Sequence, residues 1–354
     1  MRMSAFDQSG LFDCPFQSSG ADWYDALSLP PGGSMRRREF IKAIGSVTAW
    51  PFVARAQQSG TLPRVGILEP YAATDPGYRM GQALHDLGIK EGRDIVVEWR
   101  YAGGQTERIP VLAADLAQLR LDAIVAIGDA AIQAVRKQAP TTPIIAGSDD
   151  LVGEGHVASL AHPGGNVTGI SILASELNAK RLEVLKEAAP SVSRVAVLWD
   201  PATGSFHLPT LRSVAETLRL ELQVHDVTGG EVLSKAFEAA QAWGANGLNV
   251  LASPLLHALR QPIIDQAAAH RLPAIYQWGE SARAGGLMSY GPFRNDVYQT
   301  TARQLARVLK GAQVTDLPVE QPSRFELVIN LKTAGVLGLA ISPTLLARAD
   351  EVIG

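Results

Sequence analysis

The chain has 354 residues, 46% of them hydrophobic and 19% charged, a mixture too apolar for a disordered protein and too polar for a bundle of membrane spans. Its 32 basic and 35 acidic residues leave a formal charge of −3, and the one dense basic cluster, Arg36 to Arg38, lies in a segment expected to be removed, so nucleic acid is not an expected partner. The single cysteine, Cys14, excludes a disulfide framework and cysteine-based zinc or iron-sulfur centres, and the length points to two domains.

Residues 1–34 carry turn chemistry, Pro30-Pro31-Gly32-Gly33, without a periodic apolar pattern, and are expected to be a disordered extension ahead of the true start. From Met35 a basic start, an apolar run over 43–53 and the small-x-small site Ala54-Arg55-Ala56 read as a secretory signal over 35–56. Within it Arg37-Arg38-Glu39-Phe40-Ile41-Lys42 is similar to the twin-arginine export motif. The expected mature protein is therefore soluble, periplasmic, free of disulfides and unanchored, because no cysteine stands at the cleavage point for lipid attachment.

Beyond residue 60 the chain repeats itself. Arg64 to Leu68 returns as Arg194 to Leu198, 130 positions later; Ala123 to Ile127 corresponds to Gly247 to Leu251, and Pro143 to Ile145 to Pro273 to Ile275. Each segment is a short apolar run bounded by turn residues, as expected of parallel strands covered on both faces. Helices are predicted over 76–90, 106–120, 129–138, 175–189, 207–220, 231–243 and 255–270. In the second of these Ile109, Leu112, Leu116 and Leu119 share one face. Strand-helix alternation predicts an α/β protein of two doubly wound, Rossmann-like lobes with parallel sheets.

The tail adds a strand at 286–290, a helix over 295–310, a strand at 325–329 and a helix from Leu331. The economical placement sends the first strand back to the first lobe and the second to the other. The expected lobes are thus 62–168 with 286–316, and 169–285 with 317–354, joined by three hinge segments that permit a clamshell motion.

Four stretches carry a resemblance: His162-Pro163-Gly164-Gly165-Asn166-Val167-Thr168-Gly169, Ala179-Lys180-Arg181-Leu182-Glu183, Gly286-Leu287-Met288-Ser289-Tyr290-Gly291, and Phe325 to Ala334. They resemble the ABC transporter substrate-binding family that includes the tryptophan- and tyrosine-type binding proteins, over roughly 62–353. The resemblance implies a type I periplasmic binding protein fold, a monomer that holds a small organic molecule between its lobes, an ABC permease in the inner membrane as partner, no cofactor and no catalysis. It does not choose the ligand. An extracytoplasmic sensor with a signalling partner, or a cleft enzyme using Asp149 with Asp200, would look similar at this level.

In open α/β sheets ligands bind beyond the carboxyl ends of the strands. Those loops contain Glu69, Tyr71, Asp129, Ser148 and Asp149 in the first lobe, and Trp199, Asp200, Ser253 and Trp278 in the second, with Gln277 beside Trp278; Tyr290 and Phe293 follow the returning strand. The aromatic side chains either stack on a planar ligand or simply pack. Asp129 either caps a helix or meets ligand, and Asp149 or Asp200 could hold an ammonium. No arginine occupies these loops to clamp a carboxylate. Nucleotide-binding glycine motifs and a nucleophile elbow are absent, the seven histidines lack metal-ligand spacing, and Gly153-Glu154-Gly155-His156 reads as a turn.

Overall fold

The structure, a computed structural model, describes residues 61–73 and 80–354. The extension and export signal expected over 1–56 lie outside the described residues, as do the first residues of the helix predicted from Pro76.

The apolar runs become parallel strands because both faces find cover. In chain order the first lobe contains β1 (Arg64–Glu69), α1 (Met80–Asp86), β2 (Val96–Tyr101), α2 (Ile109–Ala117), β3 (Ala123–Ile127), α3 (Asp129–Gln138), β4 (Ile144–Ser148) and β5 (Val167–Ser171). Its sheet runs β2-β1-β3-β4-β5, all parallel. Alternate residues point to opposite faces. Val65, Ile67, Val125 and Ile145 pack on one side, while Leu68, Ile124, Ala126 and Ile144 pack on the other against Ile109, Leu116, Ile132 and Val135.

The chain then makes α4 (Ala174–Ala188), β6 (Arg194–Trp199), α5 (His207–Thr217), β7 (Glu221–Asp226), α6 (Leu233–Trp243), β8 (Gly247–Val250), α7 (Pro254–Ala258), α8 (Arg260–Ala269), β9 (Ala274–Tyr276), α9 (Gly279–Arg283) and β10 (Met288–Pro292). After α10 (Arg294–Leu309) come β11 (Phe325–Asn330), α11 (Leu331–Leu337), α12 (Pro343–Leu346) and β12 (Glu351–Ile353). The second sheet runs β12-β11-β10-β9-β8-β6-β7. Its portion β7-β6-β8-β9-β10 repeats the order of the first sheet, and even the register recurs: Val65 lies beside Ala123, and Val195 beside Gly247. β2 and β7 extend the internal repeat to strands whose own sequences do not show it.

The tail departs from the sequence-based expectation. The strand expected to return to the first lobe, β10, instead pairs parallel with β9 and antiparallel with β11 in the second sheet. It is the fifth strand of its lobe, as β5 is of the first, so residues 286–292 do not belong to the first lobe. What crosses is the helix that follows each fifth strand. α4, after β5, packs on α5, β8, β9 and β10; α10, after β10, packs on α1, β3, β4 and β5. Tyr298, Ala302 and Leu305 of α10 are buried in the first lobe's core, and Leu182, Val184 and Leu185 of α4 in the second's. Each buried leucine or valine among them contributes about 1.5–3 kcal/mol to the lobe that receives it.

The exchange makes two crossings, at 172–173 and at 293. A third runs through 321–324, after Glu320 bridges Ile170 and Thr168 donates to the Leu317 carbonyl at 2.7 Å. At the first crossing Leu173 has a left-handed backbone, φ 60°, unusual for a branched side chain. Beside it β5 passes so close to β4 that a Cβ built on Gly169, φ 143°, would lie 1.9 Å from the Ala146 carbonyl oxygen; only glycine fits. No helix among the described residues is long and apolar enough to cross a membrane.

Candidate functional site

The carboxyl ends of both sheets open into one shared cavity, the place where open α/β sheets hold small molecules. The lobes touch across it. Tyr71 meets His257 edge to face at 5.5 Å, and a Cβ built on Gly128 would stand 3.5 Å from Pro254 Cγ.

Of the residues expected from sequence, Tyr71, Asp129, Ser148, Asp149, Asp200, Ser253, Gln277 and Trp278 line the cavity. Glu69, Trp199, Tyr290 and Phe293 do not. Glu69 is wholly buried behind the wall. Trp199 turns its indole N–H to the Gly204 carbonyl at 3.0 Å and packs on the second lobe's core. Tyr290 stacks on Phe325, and its carbonyl accepts from buried Arg181 at 2.9 Å. Phe293 lies under Arg324. The physical reason is strand parity and lobe assignment: β10 belongs to the second sheet, so the ring of Tyr290 meets β11 instead of the cleft.

The structure adds Arg294, which the sequence reading had not placed among the loops. It sits at the start of α10, 6% exposed, with its guanidinium carbon 4.8 Å from the Tyr71 ring centre, 5.4 Å from that of Trp278 and 5.9 Å from that of Tyr298. Its Nη1 is 2.9 Å from His257 Nε2 and 3.8 Å from Glu280. Burial, with Glu69 adding, holds the Tyr298 hydroxyl well above its ordinary value. The rings around the cavity therefore surround the protein's own cation. Ile109, Ile127, Ile172 and Val297 supply apolar lining that no loop motif announced, since they sit on helix faces and strand ends.

Asp129 is the first residue of α3 and its side chain does not cap the helix. Its carboxylate instead accepts from Gln133 at 2.8 Å and lies 2.5 Å from His156 Nε2. Glu154, which accepts from the Ser148 hydroxyl, is 3.4 Å from the same nitrogen. The segment read as a plain turn thus reaches the cavity wall. Asp129, Glu154 and His156 lie close enough for metal ligation. However, Arg136 Nη1 stands 3.2 Å from His156 Nδ1; an arginine can only donate, which leaves the imidazole proton on Nε2, between the carboxylates. These hydrogen bonds raise the His156 pKa against the opposing effect of burial.

Asp200 accepts from the Ser253 hydroxyl at 2.6 Å and from the Ala202 N–H at 2.9 Å; burial raises its pKa and these two bonds oppose the rise. Asp149 makes no side-chain hydrogen bond or ion pair among the described residues. Desolvation, with Glu154, Asp129 and Asp200 adding and Arg181 opposing, pushes its carboxyl up to about 8.

A family model described as ABC transporter substrate binding protein matches residues 76–353, most of the chain. The chain belongs to that family. It is thus a substrate-binding protein of the ABC transporter type. A curated relative, the tyrosine-binding protein of Clostridioides difficile (strain R20291), is 25% identical over 264 residues, covering 73% of this chain and 75% of the relative. Two solved structures share its fold, each with a TM-score of 0.76. One is a conserved domain protein from Vibrio cholerae, 24% identical, matched over 82% of this substrate-binding protein and all of the other chain. The second is an ABC domain from Streptococcus pneumonia in complex with L-Trp, 22% identical, matched over 83% and 100% of the two chains. The architecture is that of the two-lobed type I periplasmic binding proteins.

Proposed function

We propose that this protein is the monomeric solute-capturing component of an ABC importer, exported to the periplasm by the twin-arginine signal over 35–56, and that it delivers a small organic molecule to an inner-membrane permease without chemically altering it. One observation carries the reading: a single cavity is lined by the carboxyl ends of both sheets, with Asp149 from one lobe and Asp200 from the other. Contacts of this kind exist only when the cleft is shut. A ligand that makes them binds the closed form more tightly and shifts the population toward it. The cavity-lining set Tyr71, Asp129, Ser148, Asp149, Asp200, Ser253 and Trp278 is the proposed ligand-binding set. An aromatic amino acid or a related compound is a candidate, in keeping with the name of the Clostridioides difficile relative.

A thermal-shift screen of the purified protein against amino acids, aromatic acids and amines tests this. A ligand at 100 times its Kd adds about 2.7 kcal/mol of apparent stability, a readily measured rise in melting temperature. Chemical turnover of a screened compound would refute the proposal.

A further inference from the structure

Closure of the cleft brings together carboxylates that form no ion pair among the described residues. Asp149 follows β4 of the first sheet and Asp200 follows β6 of the second, and both line the same cavity. Among the described residues Asp200 is held by neutral donors, Ser253 and the Ala202 N–H. Asp149 has no side-chain partner among the described residues. The third carboxylate of the wall, Asp129, is tied to His156 and Gln133.

The described cations nearby, Arg294 and Arg181, are already committed. Arg294 is engaged by His257, by Glu280 and by three rings. Arg181 lies outside the lining, fully buried, donating to the Tyr290 carbonyl and to Asn178. Apolar side chains stand around these groups, among them Ile109, Ile127, Ile172, Val297 and Pro254.

We infer that the solute is an organic cation, a protonated amine on an apolar body, whose ammonium sits between Asp149 and Asp200 and allows the lobes to shut. The inference rests on the reading of the protein as a solute-binding protein and names the class of solute. An ammonium offers three donors to acceptors on both lobes, while a carboxylate at this place would face like charge. Without a cation between the two aspartates, a proton on Asp149 relieves their like charge.

That proton makes the binding pH-dependent. Burial, with Glu154, Asp129 and Asp200 facing it, raises the Asp149 pKa to about 8 against the opposing Arg181. Below that pH an incoming ammonium must displace a proton from Asp149. Affinity for an amine therefore increases as pH rises toward 8, up to tenfold per pH unit.

The test is calorimetric titration of the full chain with tryptamine, L-tryptophan and indole-3-propionate, which share one ring system, and with phenethylamine and cyclohexylmethylamine. At pH 7.5 at least one amine binds at least tenfold more tightly than indole-3-propionate, and more tightly than at pH 6. Asp149→Asn and Asp200→Asn each weaken that amine at least tenfold, with unchanged circular dichroism showing that both variants fold. Tighter binding of indole-3-propionate or L-tryptophan than of every amine overturns the cation class while leaving the solute-binding reading intact. Equal amine affinity in both variants, or no amine binding below millimolar, also overturns it. Conversion of a probe to product instead defeats the solute-binding reading.

Discussion

Arg294, at the start of a helix packed in the first lobe, holds its guanidinium carbon 5.4 Å from the ring centre of Trp278, which follows a strand of the second sheet. The pair spans the hinge, and Tyr71 and His257 close around the same cation from either side of the cleft. Arg294→Met removes three ring contacts worth roughly 0.5–2 kcal/mol each and leaves Glu280 and His257 without it. The expected result is a loss of about 2–4 kcal/mol in denaturant unfolding together with weaker ligand binding; Arg294→Lys recovers only part, because an ammonium cannot reproduce the planar fork.

The two tryptophans beside strand ends separate cleanly. Trp278→Ala alters the cavity wall and should weaken binding of any identified ligand at least tenfold. Trp199→Ala removes a half-buried side chain packed on the second lobe's core and should cost about 1–3 kcal/mol of stability with affinity changed less than threefold. Equal affinity losses in both variants would show that the wall has been assigned wrongly.

Asp149 also predicts a stability profile. Its carboxyl is raised in the folded protein to about 8 from an ordinary 3.8, so the folded state holds a proton that the unfolded state has released. Its contribution is fully present below pH 4 and is lost progressively as pH rises to about 8. Asp149→Asn, which needs no proton, should therefore gain melting temperature relative to the parent between pH 5 and 8, and the difference should level off above that. Melting curves at unit pH intervals decide it; a constant difference rules it out.

Gly169→Ala should prevent folding or destabilise the protein by more than about 3 kcal/mol, because its Cβ would occupy the position of the Ala146 carbonyl oxygen and force β5 from β4. Gly165→Ala, in open space a few residues earlier, should change stability by less than about 1 kcal/mol. Urea unfolding of both variants makes the comparison.

Much of this was visible in the residues themselves. The repeated apolar runs at Arg64 and Arg194 located β1 and β6, and the rule that ligands lie beyond strand ends led to Tyr71, Ser148, Asp149, Asp200, Ser253 and Trp278. Trp199, Tyr290 and Glu69 were expected beside the cleft and lie outside its wall, because proximity to a strand end does not say which side a side chain takes. Glu154 and His156 looked like turn residues, since Asp129, the partner of His156, is more than twenty positions away. Arg294 stands one residue beyond Phe293 at a helix start, and nothing local marks it as part of a cleft.

Periodicity and turn chemistry act over a few residues, so sequence by itself determined the strands, the helices and the duplication that makes two sheets. The exchange of α4 and α10 between lobes, the capture of β10 by the second sheet and the meeting of Asp149 with Asp200 depend on which distant surfaces bury one another. Those were decided only by the tertiary structure, because burial energy is shared among elements and no single segment carries it.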